Sequence, residues 1–104
     1  MALPPKLTTE QRHAALRKAG AARVARAELK DRLKQGAIHI GDVIAQAKED
    51  EVVGKTKVLT VLESLPGVGK VKARRLMREI GISESRRLRG LGVQQRQSLL
   101  EALA

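Results

Sequence analysis

The stretch from Leu62 to Leu76 restricts the folds open to this chain more than any other. Leu62 and Leu65 finish an apolar helical segment and Pro66 cannot continue it. Gly67 and Gly69 then bracket Val68, and Lys70, Ala73 and Leu76 resume helical spacing. The pattern predicts two helices joined by a tight turn. The glycines let the backbone reverse and let a ligand approach with no Cβ in the way, while Val68 points back into the core as an anchor. Backbone N–H groups at the start of the second helix face outward, where the helix dipole favours an anion; Lys70, Lys72, Arg74 and Arg75 add full charges. Such a corner is built to hold phosphate. A Walker A loop would need Gly and Ser or Thr where Ser64 and Val71 stand, and a dinucleotide fingerprint would need Gly in place of Lys72. Neither applies.

A shift of 23 residues lays Leu88, Arg89, Gly90, Leu91, Gly92 and Leu99 over Leu65, Pro66, Gly67, Val68, Gly69 and Leu76. The glycine turn therefore occurs twice in sequence, more weakly the second time. Arg86, Arg87 and Arg89 lead into the second copy, and guanidinium groups on a loop bind phosphate bidentately. The three guanidiniums and the N–H groups of Gly92 and Val93 are expected to converge on one stretch of phosphate backbone.

The remainder is helical in period, and the fold class is all-α with about five helices. Thr8 and Gln11 form a capping box that opens a long helix over Glu10 to Gln35, closed by Gly36. Its apolar stripe, Ala22, Ala25, Leu29 and Leu33, develops only late, so the first half is expected to project, with Gly20 in its interior. Further helices are predicted over Asp42 to Lys48, Val58 to Leu65, Lys70 to Ile80 and Val93 to Leu103. Glu49, Asp50 and Glu51 read as a charged turn, and Ile38, His39 and Ile40 as a partly buried helix entry. Residues 1–8, with Pro4 and Pro5, read as a flexible lead-in to a single helical domain over 9–104.

Charge decides the class of partner. Lys and Arg number 21 against 11 Asp and Glu, a net charge of +10. The excess is confined to two regions: residues 1–35 and 64–104 each hold nine basic against three acidic side chains, while 36–63 hold three against five. Two basic surfaces flanking an acidic middle suit a polyanion met at two places. With no Phe, Trp or Tyr, there is no platform for stacking unpaired bases. The absence of Cys removes thiolate chemistry, disulfides and Cys-bound zinc, and His13 and His39 have no second ligand at helical spacing. No catalytic residue, metal or cofactor is expected. The longest uncharged run, Gln35 to Gly41, is too short to cross a membrane, and a cytoplasmic protein is expected.

Four segments together, Arg26 to Lys30 in the Ala-rich helix, Lys55 to Lys57, Leu65 to Ala73 and Arg86 to Gly92, resemble actinobacterial integration host factor over nearly the whole chain. Members of that family are small, monomeric helical proteins of the nucleoid. Through a helix-two-turns-helix or helix-hairpin-helix element they bind duplex DNA with little sequence preference, alter its topology and assist phage integration. The resemblance implies a phosphate grip at Gly67, Val68, Gly69, Lys70 and Lys72, extended to Arg74. It also implies a DNA-contacting loop at Arg86, Arg87 and Arg89 with Gly90 and Gly92. The expected partner is double-stranded DNA, one or two segments of it, and neither a membrane nor a small-molecule substrate. Relatives often carry Phe where this chain has Leu103, a difference that bears on local packing. A small-subunit ribosomal protein with a similar hairpin and an Arg-Gly-Leu segment is the alternative, although it is expected to carry a long basic tail. DNA glycosylases also use such hairpins, but their N-terminal Pro or Lys and Asp pair has no counterpart here.

Overall fold

A computed structural model of the chain describes residues 8–103. The expected lead-in over 1–7 lies outside the described residues. Six helices follow in order: α1 Thr9–Lys34, α2 Ile40–Gln46, α3 Glu51–Lys55, α4 Val58–Ser64, α5 Gly69–Ile80 and α6 Val93–Ala102, with a single 3-10 turn at Leu88–Gly90 before α6. The fold is all-α, with one helix more than the sequence reading anticipates.

The capping box at the start of α1 forms as its spacing requires. Thr8 Oγ1 accepts from the Gln11 N–H at 3.0 Å and Gln11 Oε1 accepts from the Thr8 N–H at 2.9 Å. From Thr8 to Ala19 every side chain is exposed, because Ala and charge offer nothing to bury. Only Leu29 and Leu33 enter the core, and this end of α1 lies on α3 and α4. One detail departs from the sequence reading: Ala25 is exposed, and the half-buried position on that face belongs to Arg26.

The unforeseen helix is α3. Asp50 caps it, its Oδ1 accepting from the N–H groups of Val52 and Val53 at 2.9 and 3.2 Å. Glu51, in the first turn, pairs with Lys55 at 2.7 Å. The acidic run therefore closes the turn at Glu49, as its composition predicts, and then starts a helix at Glu51. Its brevity and the Gly54 within it conceal the period. Gly54 is there for packing: a Cβ would sit 2.7 Å from the Ala47 carbonyl oxygen and 2.9 Å from Arg89 Nε.

The core is aliphatic throughout. Val58, Val61 and Leu62 of α4 are essentially fully buried, and α4 packs most extensively on α5, which contributes Ala73 and Met77. Ile40, Val43 and Ile44 of α2 and Leu99 of α6 join the cluster, and Leu103 packs against it. The chain then ties its two halves together with backbone alone. The Val58 N–H donates to the Arg86 carbonyl and the Leu88 N–H to the Thr56 carbonyl, both at 3.0 Å. Lys57 and Arg87 are thereby locked side by side as a one-step antiparallel bridge.

Candidate nucleic-acid interface

At the first glycine turn, Gly67 and Gly69 have φ of +75° and +70°, backbone states that L side chains rarely adopt. Val68 is half-buried against the core, as its place between them predicts. The turn delivers the chain into α5 with Val68 at the N-cap position and no side chain capping the helix. The first N–H groups of α5 thus lack the side-chain acceptor that usually satisfies such donors, and they lie beside exposed Lys70 and Lys72. An uncapped helix start beside two ammonium groups favours an anion through its dipole and its donors. Arg74, a turn further on, faces the Glu84 carboxylate at 3.4 Å, which leaves it less available than the two lysines.

The second turn is not a copy of the first. Neither Gly90 nor Gly92 has positive φ; Gly90 ends the 3-10 turn and Gly92 is extended, with φ −72° and ψ 163°. The Gly92 N–H, expected to be open, donates to Gln95 Oε1 at 3.0 Å, and Gln95 Nε2 donates in turn to the Gly81 carbonyl at 3.2 Å. That one N–H is taken, while α6, like α5, has no side chain accepting from its first N–H groups. What repeats is the order of turn, helix and buried leucine, since Leu76 and Leu99 both face the core.

The three arginines also diverge instead of converging. Arg86 folds back, its Nη1 donating to the Gly90 carbonyl at 2.9 Å. Arg89 lies over α3 at Gly54. Arg87 is held by the backbone bridge next to Lys57 and turns toward α1. It borders a cleft of about 480 Å³ with Arg23, Arg26 and Lys30 of α1 and with Lys55 and Lys57. Sequence reading identifies these cations separately. It does not show that they meet, because the only thing joining Lys57 to Arg87 is a bridge one residue long, which leaves no periodic trace.

Glu51 of α3 pairs with Lys55 at the edge of this surface. The Glu51 carboxyl is held below its ordinary 4.5 first by its hydrogen bond to the Lys55 ammonium, then by the charge of Lys55 and the fields of Lys18 and Arg89. The candidate residues therefore occupy two places at opposite ends of α4, roughly 10 Å of helix apart at 1.5 Å per residue. One place offers backbone donors and the other guanidiniums. No described helix is long and apolar enough to cross a membrane.

Residues 33–103 match the model of the S13-like H2TH domain. Proteins named integration host factor in Mycolicibacterium smegmatis and Mycobacterium tuberculosis are each 61% identical over 101 residues, covering 97% of this chain and 95% of theirs. The protein of that name in Streptomyces coelicolor is 61% identical over 99 residues, covering 95% and 92%. A solved structure described as sIHF bound to an 8-base-pair palindromic DNA superposes with a TM-score of 0.82 at 53% identity, covering 85% of this chain and 99% of that one.

Proposed function

Since the chain belongs to the integration host factor family of actinobacteria and carries its H2TH domain, we propose that it is a nucleoid-associated protein that binds double-stranded DNA. It does so through the phosphate backbone with low sequence specificity, shapes DNA topology and assists site-specific integration. The observation that carries this reading is the uncapped start of α5 behind two glycines of positive φ, flanked by Lys70 and Lys72. Backbone N–H groups and ammonium groups recognise phosphate and are indifferent to base identity. Arg86, Arg87 and Arg89 supply the second grip, at the other end of α4. The DNA-bound relative supports a duplex partner, and the proposed role is that of a monomer in the nucleoid without a catalytic step.

Salt dependence tests this. Phosphate-dominated binding requires log K to fall with log salt at about −0.9 per phosphate neutralised, so five to eight contacts lose roughly three decades over a several-fold rise in salt. An affinity insensitive to salt overturns the reading. So does a preferred sequence that binds ~10³-fold tighter than random duplex.

A further inference from the structure

The cleft beside Arg87 gathers cations from three segments of the chain that are remote in sequence. Six cations border it: Arg23, Arg26, Lys30, Lys55, Lys57 and Arg87. Among the described residues no carboxylate lines it, and the ion pairs are Lys55–Glu51 and Arg74–Glu84. Five of the six cations therefore have no carboxylate partner there. Their positions are fixed independently of any ligand, on one side by the helix α1 and on the other by the backbone bridge that pins residues 56–58 to 86–88. Like charges gathered on rigid backbone raise the free energy of the unliganded cleft, and a multivalent anion relieves it.

We propose that this cleft is a binding site for a linear oligophosphate chain, and that such a chain competes with DNA for Arg87. Shape favours a short chain over a duplex. A duplex is a convex cylinder that reaches the rim of a recess, while a flexible run of phosphates follows its floor, past half-buried Arg26 and the Thr60 hydroxyl. The volume, about 480 Å³, lies in the ordinary range of small-ligand sites. With no aromatic residue anywhere in the chain to stack a base, the phosphates carry the recognition. An inorganic chain and a nucleoside triphosphate are then held alike. The competition with DNA rests on the function proposed above; the oligophosphate site does not.

The test uses the full chain and inorganic tripolyphosphate at constant ionic strength, followed by calorimetry and by amide chemical shifts. The largest shifts are expected at residues 23–30, 55–60 and 87, and any response at the phosphate-binding turn Gly67 to Lys72 should saturate separately and persist in the double variant below. The double variant Arg26→Gln/Lys30→Gln, with its helicity checked by circular dichroism, should bind at least about tenfold more weakly, because two charge-assisted contacts are lost. The charge-matched control Lys48→Gln/Arg78→Gln, exposed and outside the cleft, should bind as the parent does. Equal loss in both variants, or shifts spread over every cation, reduces the effect to net charge and overturns the proposal. Orthophosphate binding as tightly as tripolyphosphate overturns it as well. ATP and tripolyphosphate binding within about twofold of each other assigns recognition to the phosphates alone; a much tighter ATP at the same residues assigns the same site to a nucleotide. Duplex affinity is measured in parallel. A parent chain that binds oligophosphate and not duplex overturns the proposed function and not this site, and one that binds duplex and not oligophosphate overturns this site alone.

Discussion

The turns at Pro66–Lys70 and Arg89–Val93 share a Gly-x-Gly spacing, a central aliphatic residue and a following helix, yet their backbones have opposite character. In the first, both glycines are left-handed. In the second, neither glycine is left-handed and Gln95 satisfies the Gly92 N–H. What decides between them is the chain before the turn. Pro66 stops α4 abruptly, and reversal has to happen within the two glycines. The second segment arrives already extended and bonded to Thr56 and Val58. One turn therefore brings left-handed backbone beside Lys70 and Lys72, and the other brings an extended backbone that carries three arginines.

That contrast is broken or sharpened most by the arginines. Changing Arg86, Arg87 and Arg89 to Ala should weaken duplex binding by at least ~2 kcal/mol at moderate salt, roughly 30-fold in a fluorescence titration. The matched variant Arg23→Gln/Arg26→Gln/Lys30→Gln should lose less, and the two losses should fall short of additive because Arg87 shares its cleft with α1. A larger loss from the α1 variant places the main grip on that helix.

Next in size is Gly54→Ala. The new methyl meets the Ala47 carbonyl as well as Arg89, and backbone cannot swing aside, so a stability loss of about 1 to 3 kcal/mol by denaturant titration is expected. Removing Arg89 in the same chain should recover only part of it. If it recovers all, the backbone contact is immaterial.

The glycine pair gives a smaller and sharper comparison. Gly69→Ala should cost about 1 to 2 kcal/mol for its left-handed residue, although nothing crowds the new Cβ. Gly92→Ala, extended and with Gln95 Oε1 at an ordinary 3.6 Å, should be close to neutral. Equal costs at both positions would restore the idea of two equivalent hairpins. Gly69→Val should in addition weaken duplex binding in a protein that remains folded.

The smallest effect is one of pH. Glu51 is depressed in the folded chain, so its charge stabilises α3 fully above about pH 4.5, and this contribution is lost as pH falls through the lowered folded value. An NMR titration of the Glu51 carboxyl should show a midpoint below that of Glu51 in the Lys55→Gln variant. Identical midpoints would remove Lys55 as the cause.

Legibility followed the range of the forces involved. The capping box, the late apolar stripe of α1, the left-handed first turn and the helix stop at Gly81 are local, and each can be read from neighbours in sequence. α3 was hidden because its cap is written in the same acidic residues that signal a turn. The dispersal of the three arginines was hidden for a different reason. Each is directed by a partner remote in sequence or by its own loop: Arg89 by Gly54, Arg87 by Lys57, Arg86 by Gly90. The repeat at a shift of 23 residues was visible as letters only.

The pair of hydrogen bonds joining residues 56–58 to 86–88 also fixes the order in which the molecule comes apart. They close a loop of about thirty residues that contains α4, the glycine turn and α5, and closing such a loop costs entropy that a helix by itself never incurs. Before the loop closes, α4 and α5 can pair as neighbours while Arg86 to Arg89 wander. The Val58 and Leu88 amides should accordingly exchange with deuterium together, in one cooperative opening distinct from the fraying of α1. Any event that opens this clasp releases Arg87 from Lys57 and disassembles the cationic cleft, even while every helix in the protein remains intact.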